Sequence, residues 1–179
     1  MELEQMQDAK SATYYFKEKL EFASVNSEHI EFIKNVALKT RDSARICLHR
    51  DGDSDLHNML IVHPKGKYIR PHKNPKKSKA YQIVEGAMRM IGIDDVGKKL
   101  FDRELSNEGD RMVRIEKNVY LLLLPLTQLV VFHEIALGPF VRGGGDFQAY
   151  APFAPQEECE REVLDGFISC YTKGGGTGN

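Results

Sequence analysis

From residue 45 onward, short apolar runs alternate with turn-forming clusters. Ile46 and Leu48 come first, then residues 59–62, Tyr68 with Ile69, and residues 81–84, 88–93, 112–115, 119–124 and 129–135. The clusters between them include Asp51-Gly52-Asp53-Ser54, Pro64-Lys65-Gly66, Glu85-Gly86, Asp94-Asp95-Val96-Gly97 and Ser106-Asn107-Glu108-Gly109. Many short strands with turns at this spacing predict a mainly β fold, a sandwich or barrel. No helical stretch separates the runs, so no βαβ alternation is expected. The two ends read differently. Leu3, Met6, Phe16 and Leu20 are loosely helix-spaced among Glu, Gln and Lys, which predicts helix early in the chain. Asn26 or Ser27 then serves as N-cap for a second helix carrying Ile30, Ile33 and Ala37, which ends at Thr40-Arg41-Asp42-Ser43. A last helix is predicted over residues 157–171. There Val163, Leu164, Phe167, Ile168 and Tyr171 form an apolar stripe suited to docking on the β-fold. The expected organisation is a helical extension (1–43), a β-barrel (44–156), a helix packed on it (157–172) and a disordered glycine-rich tail (173–179).

Composition narrows the function classes. The 179 residues carry 25 Lys and Arg against 26 Asp and Glu, a net charge of -1, which argues against a nucleic-acid binder. The longest apolar run, residues 119–126, contains Pro125 and falls far short of the ~20 residues a membrane helix needs. The first residues are acidic and polar, unlike a secretory signal. The three cysteines, Cys47, Cys159 and Cys170, are far apart and form no CxxC pair, so neither a disulfide framework nor a thiolate zinc site is expected. A cytoplasmic location follows as the default. The stretch Arg142-Gly143-Gly144-Gly145-Asp146 reads as a flexible loop; a proline-rich segment follows it, where a phosphate cradle would need a helix.

One spacing points to a family. Gly66, His72, Asn74, Lys79 and Gly86 stand where the first motif of the cupin superfamily places its conserved positions. The chain resembles the WbuC family of cupin-fold proteins more closely. The carrying residues are Arg45-Ile46-Cys47-Leu48-His49, Tyr68-Ile69-Arg70-Pro71-His72, Val84-Glu85-Gly86, Glu134, Gly138-Pro139-Phe140 and Ala151-Pro152-Phe153-Ala154-Pro155. The resemblance spans roughly residues 25–157. It implies a double-stranded β-helix, or jelly-roll barrel, and a link to bacterial surface polysaccharide biosynthesis. It also implies a metal held by histidines and a glutamate, and here the chain departs from the pattern. Asn74 stands where the second histidine would be, and Lys79 where the glutamate would be. Glu116, Asn118 and Leu121 occupy the second motif. His72 is the only one of the implied ligands retained. A first-row divalent metal wants three or four N, O or S donors, and an ammonium has none to offer. No cofactor is therefore predicted. A divalent metal would need His49, His57 or Glu134 to complete a site with His72.

Lys79 instead is expected to stand where the metal's charge would be, leaving a positive, hydrogen-bonding cavity; the alternative is that it points to solvent and the barrel has filled in. Strand alternation places Tyr68 and Arg70 on the face of His72, and Tyr81 on that of Lys79. With Asn74, Glu134 and His49 these make the candidate ligand-binding set, with His72 and Lys79 as the candidate catalytic pair. Leu121 and Leu123 would close an apolar wall. His49 and His57 either line the mouth or make structural hydrogen bonds. His29 and His63 are expected at the surface. The basic run Lys65, Lys67, Arg70, Lys73, Lys76, Lys77 and Lys79 would draw an anionic ligand, such as a sugar nucleotide, to the barrel mouth. Three functions remain open: a binding protein for a carbohydrate or anionic small molecule, a cupin enzyme of isomerase or oxygenase type, and a structural or regulatory homodimer with a filled barrel.

Overall fold

The computed structural model describes residues 2–6, 11–18, 21–139 and 149–173. The strands are β1 (Leu3–Gln5), β2 (Ala12–Phe16), β3 (Ala44–Cys47), β4 (Leu56–Pro64), β5 (His72–Lys73), β6 (Lys79–Glu85), β7 (Ala87–Ile93), β8 (Lys99–Ser106), β9 (Met112–Ile115), β10 (Tyr120–Pro125), β11 (Leu129–Leu137) and β12 (Ala149–Tyr150). The helices are α1 (Ser27–Thr40) and α2 (Arg161–Thr172). The strands form two sheets, in the orders β1-β2-β3-β4-β11-β6-β9 and β12-β5-β10-β7-β8.

Alternation along the strands builds three apolar layers. Tyr81, Ile83, Met88, Met90, Leu121, Leu123, Val130 and Phe132 fill the space between the sheets. On the outer face of the larger sheet, Ile33 and Ala37 of α1 pack on Ala44, Ile46, Leu60, Val62 and Val131. On the outer face of the smaller sheet, Leu164 of α2 packs with Ile91, Ile93, Tyr120 and Leu122. Phe167, Ile168 and Tyr171 join that contact, as their spacing predicts. Val163 does not; it is 53% exposed, because its position turns away from the sheet.

Helix α1 begins as predicted. The Asn26 side chain accepts from the His29 N–H at 3.1 Å, and His29 Nδ1 accepts from the Asn26 N–H at 3.2 Å. This reciprocal pair satisfies two otherwise orphaned donors. Asn26→Ala will cost about 1 kcal/mol, read as a lowered midpoint in urea unfolding.

The start of the chain departs from expectation. Leu3–Gln5 and Ala12–Phe16 are strands, and Leu20 lies outside the described residues. Strand β2 runs parallel to β3, with Tyr14 opposite Ile46, so β2, α1 and β3 make a βαβ unit where none was expected. Pairing to a waiting sheet edge overrides the helix propensity of the flanking Glu and Lys residues. Strand β8 was also not anticipated; its sequence, Lys99-Leu100-Phe101-Asp102-Arg103-Glu104-Leu105-Ser106, offers no apolar run. Tyr68 and Ile69, read as a strand, lie in none. The glycine loop at 142–146, Phe140 and the tail from 174 lie outside the described residues.

The turn from β6 to β7 carries the chain from one sheet to the other. Gly86 makes it with φ +76°, and a Cβ there would sit 2.4 Å from the Leu129 carbonyl oxygen. Only glycine meets both demands.

Candidate functional site

Strand β11 is central to the larger sheet, and its register sets the site. Glu134 stands opposite Met59 of β4 and Tyr81 of β6, while Lys79 stands opposite Ala136. Lys79 and Glu134 therefore meet diagonally on the inner face. Lys79 Nζ lies 2.9 Å from Glu134 Oε1, with only 18% and 12% of the two side chains exposed. The Tyr81 hydroxyl lies close enough to interact electrostatically with the same ammonium. Burial disfavours each charge, yet the partner outweighs it on both sides. The Lys79 pKa is raised by the Glu134 charge, and the Glu134 pKa is lowered by Lys79. Tyr81 is pushed up by burial and then by the Glu134 charge.

His72 sits beside this pair, opposite Leu121 of β10 on one side and Tyr150 of β12 on the other. Its Nδ1 is 3.1 Å from the Arg70 carbonyl oxygen. A carbonyl only accepts, so Nδ1 carries the proton and Nε2 of the neutral ring is left as an acceptor. Burial, then the Lys79 charge, lowers the His72 pKa to about 4. His72, Asn74, Lys79, Ile115, Val119 and Leu121 line a cavity of about 10 Å³. That is room for about one water molecule.

Not every predicted residue comes to this place. His72, Asn74, Lys79, Tyr81 and Glu134 do. Tyr68 instead lies on the outside of the smaller sheet, where its hydroxyl donates to the Pro155 carbonyl at 3.1 Å. Arg70 donates to Gln156 Oε1 at 2.9 Å and to the Ala151 carbonyl at 3.1 Å, anchoring the segment that follows β12. Alternation counted back from His72 fails for both residues, because β5 is only His72–Lys73 and the chain before it is not in a sheet. His49 stacks on His57 with ring centroids 4.2 Å apart and accepts from the Asn58 N–H at 3.0 Å. Burial, then His57, lowers the His49 pKa to about 4.

Two inward-facing groups were missed. His63, expected at the surface, is 8% exposed and packs against Phe132; burial lowers its pKa to about 4. Arg45 stands opposite Ile61 of β4, and its charge acts on Glu134, His63 and His72. Period-two counting along residues 59–63, from the inward Ile61, would have found His63. Of the basic run, only Lys77 and Lys79 line the cavity. Lys73 pairs with Asp95, Lys77 Nζ donates to the Gly138 and Pro139 carbonyls, and Lys65 and Lys67 lie elsewhere.

The metal implied by the resemblance does not fit these residues. The Lys79 ammonium stands where the resemblance implies an anionic ligand, and it is itself bound to Glu134. Asn74 Oδ1 is already taken by the Lys76 and Lys77 N–H groups at 3.1 and 2.9 Å. Among the described residues, no group of three His, Cys, Asp or Glu side chains is placed to hold a metal ion.

A family model described as a domain of unknown function (DUF6016) matches residues 27–105. No curated protein matches the chain. Among solved structures, CapF with the inhibitor 3-isopropenyl-tropolone is similar at a TM-score of 0.53 and 12% identity, over 61% of this chain and 32% of that one. The capsular polysaccharide assembling protein CapF from Staphylococcus aureus is similar at a TM-score of 0.52 and 12% identity, over 60% and 31%. The chain thus spans about a third of the CapF length. Together with the two facing sheets, these likenesses define a cupin-type jelly roll. Among the described residues, no helix is long and apolar enough to cross a membrane.

Proposed function

We propose that the chain is a cupin-fold binding module that takes a polar small molecule of carbohydrate type at the barrel mouth, without a barrel metal. The observation that carries this reading is the buried Lys79–Glu134 pair beside neutral His72. The cavity offers a fixed donor, the Lys79 ammonium, and an acceptor, His72 Nε2. A hydroxyl both donates and accepts, and one hydroxyl is about the size of group the cavity admits. The association with surface polysaccharide assembly rests on the sequence resemblance. CapF carries that function in its name, but at 12% identity the likeness concerns the fold.

An enzyme using Lys79 as acid is the weaker reading. Its raised pKa keeps the proton on the ammonium, whereas a general acid works best with a pKa near the working pH. The size of the cavity favours one other reading, a filled barrel with a purely structural role, for which a homodimer is the proposed setting.

Calorimetric titration with neutral hexoses and N-acetylhexosamines separates the two. The binding reading expects at least one sugar to saturate with a Kd of about 1 mM or tighter, and His72→Ala to weaken it at least tenfold. No saturation by any of them at about 10 mM, with a dimer found by light scattering, would favour the filled barrel.

A further inference from the structure

We propose that a second site, between the end of α1 and the start of α2, binds a phosphorylated small molecule of the nucleoside diphosphate type. A groove of about 400 Å³ lies between the end of α1, the turn after β4 and the start of α2. That volume is in the range of small-molecule sites and is far larger than the barrel cavity. Basic side chains from three separate segments line it: Arg41, Lys65 with Lys67, and Arg161. The acid among its lining residues is Glu157.

These charges are not all neutralised within the protein. Lys67 pairs with Asp42 at 2.8 Å, and Arg161 with Asp165 at 2.9 Å. Among the described residues, the side chains of Arg41 and Lys65 form no ion pair. Both are exposed at the groove. Two cations that line one groove without a carboxylate partner leave it positive, and a polyanion would be attracted there. An arginine and a lysine together suit phosphate oxygens, the first by its forked donors and the second as a point charge.

The floor argues for more than bare phosphate. Tyr68 and Leu164 are buried beneath the groove, giving it an apolar base and a basic rim. A flat or apolar body attached to the phosphates would lie there. The Arg161 end of α2 adds favourable dipole to the same place, since Glu160 makes no side-chain cap. The groove shares no lining residue with the barrel-mouth cavity, so the two sites stand or fall on different variants.

The test is calorimetric titration of the full chain with UDP, ADP, inorganic pyrophosphate and phosphate at low and high salt. UDP or ADP should bind saturably, more tightly than pyrophosphate, and more weakly as salt rises. Arg41→Ala/Lys65→Ala should weaken binding at least tenfold while leaving the circular dichroism spectrum unchanged. The control Lys98→Ala/Arg103→Ala, which removes the same charge from exposed positions outside the groove, should change it less than twofold. Three results would overturn the proposal. They are no saturable binding of either nucleotide, an equal loss in the control, and pyrophosphate binding as tightly as the nucleotides.

Discussion

Lys79→Met will destabilise the protein by about 3–5 kcal/mol, measured by urea unfolding at neutral pH. The substitution keeps the volume of the side chain but leaves Glu134 buried without its counter-charge, 2.9 Å from where the ammonium was. A buried carboxylate without a partner is among the most costly single defects a core can carry. Lys79→Met/Glu134→Leu should recover most of the loss, because an ion pair replaced whole by apolar groups is often neutral. The pH dependence of the single variant provides a second check. Without Lys79 the Glu134 pKa rises, so the defect shrinks as pH falls and the acid becomes neutral. If single and double variants lose the same stability at every pH, the pair is not an energetic unit.

Acid will unfold the protein in a window set by its buried histidines. His49, His63 and His72 are each held to about 4 against an ordinary value of 6.5, all chiefly by burial. Below pH 6.5 the unfolded chain takes up protons that the native state refuses until about pH 4. Stability is therefore full above pH 6.5 and falls as pH drops toward 4. The slope is about 1.4 kcal/mol per pH unit for each histidine that remains neutral in the fold. Glu134, with its lowered pKa, adds a further loss at still lower pH. Urea midpoints between pH 7.5 and 4.5 measure the slope, and His63→Gln should reduce it by about one proton's worth. A flat profile across that range would show that these rings are hydrated in the native state.

Much of the barrel was legible because its strands announce themselves. Residues 59–62, 81–84, 88–93, 120–124 and 129–135 are mostly apolar, bounded by turn residues, and lie in strands of the observed sheets. The N-terminal strands were not legible for the opposite reason. Ala12-Thr13-Tyr14-Tyr15-Phe16 has strand-forming residues but is too short to show a period, and its partner strand lies beyond a helix. At the site, His72, Lys79, Tyr81 and Glu134 could be placed together because each lies in or next to a regular strand, where period two holds. Tyr68 and Arg70 precede Pro71 in irregular chain, where counting residues says nothing about direction. The size of the cavity could not be read at all. It depends on how Leu121, Ile115 and Val119 pack around His72, and no one-dimensional pattern records that.

The position of β11 has a consequence for the chain as it leaves the ribosome. Residues 12–47 emerge early and contain β2, α1 and β3, which can associate as soon as they are free. Strands β4 and β6 follow, but each borders β11 in the finished sheet, and β11 ends at Leu137. Until then both expose apolar faces and a bare edge, and β5 and β7 likewise wait for β10. Vectorial synthesis thus gives an early N-terminal subassembly followed by a late, concerted closure of the barrel. In that interval the exposed faces and edges invite aggregation, and mutations that slow the arrival or pairing of β11 should act first on yield in the cell.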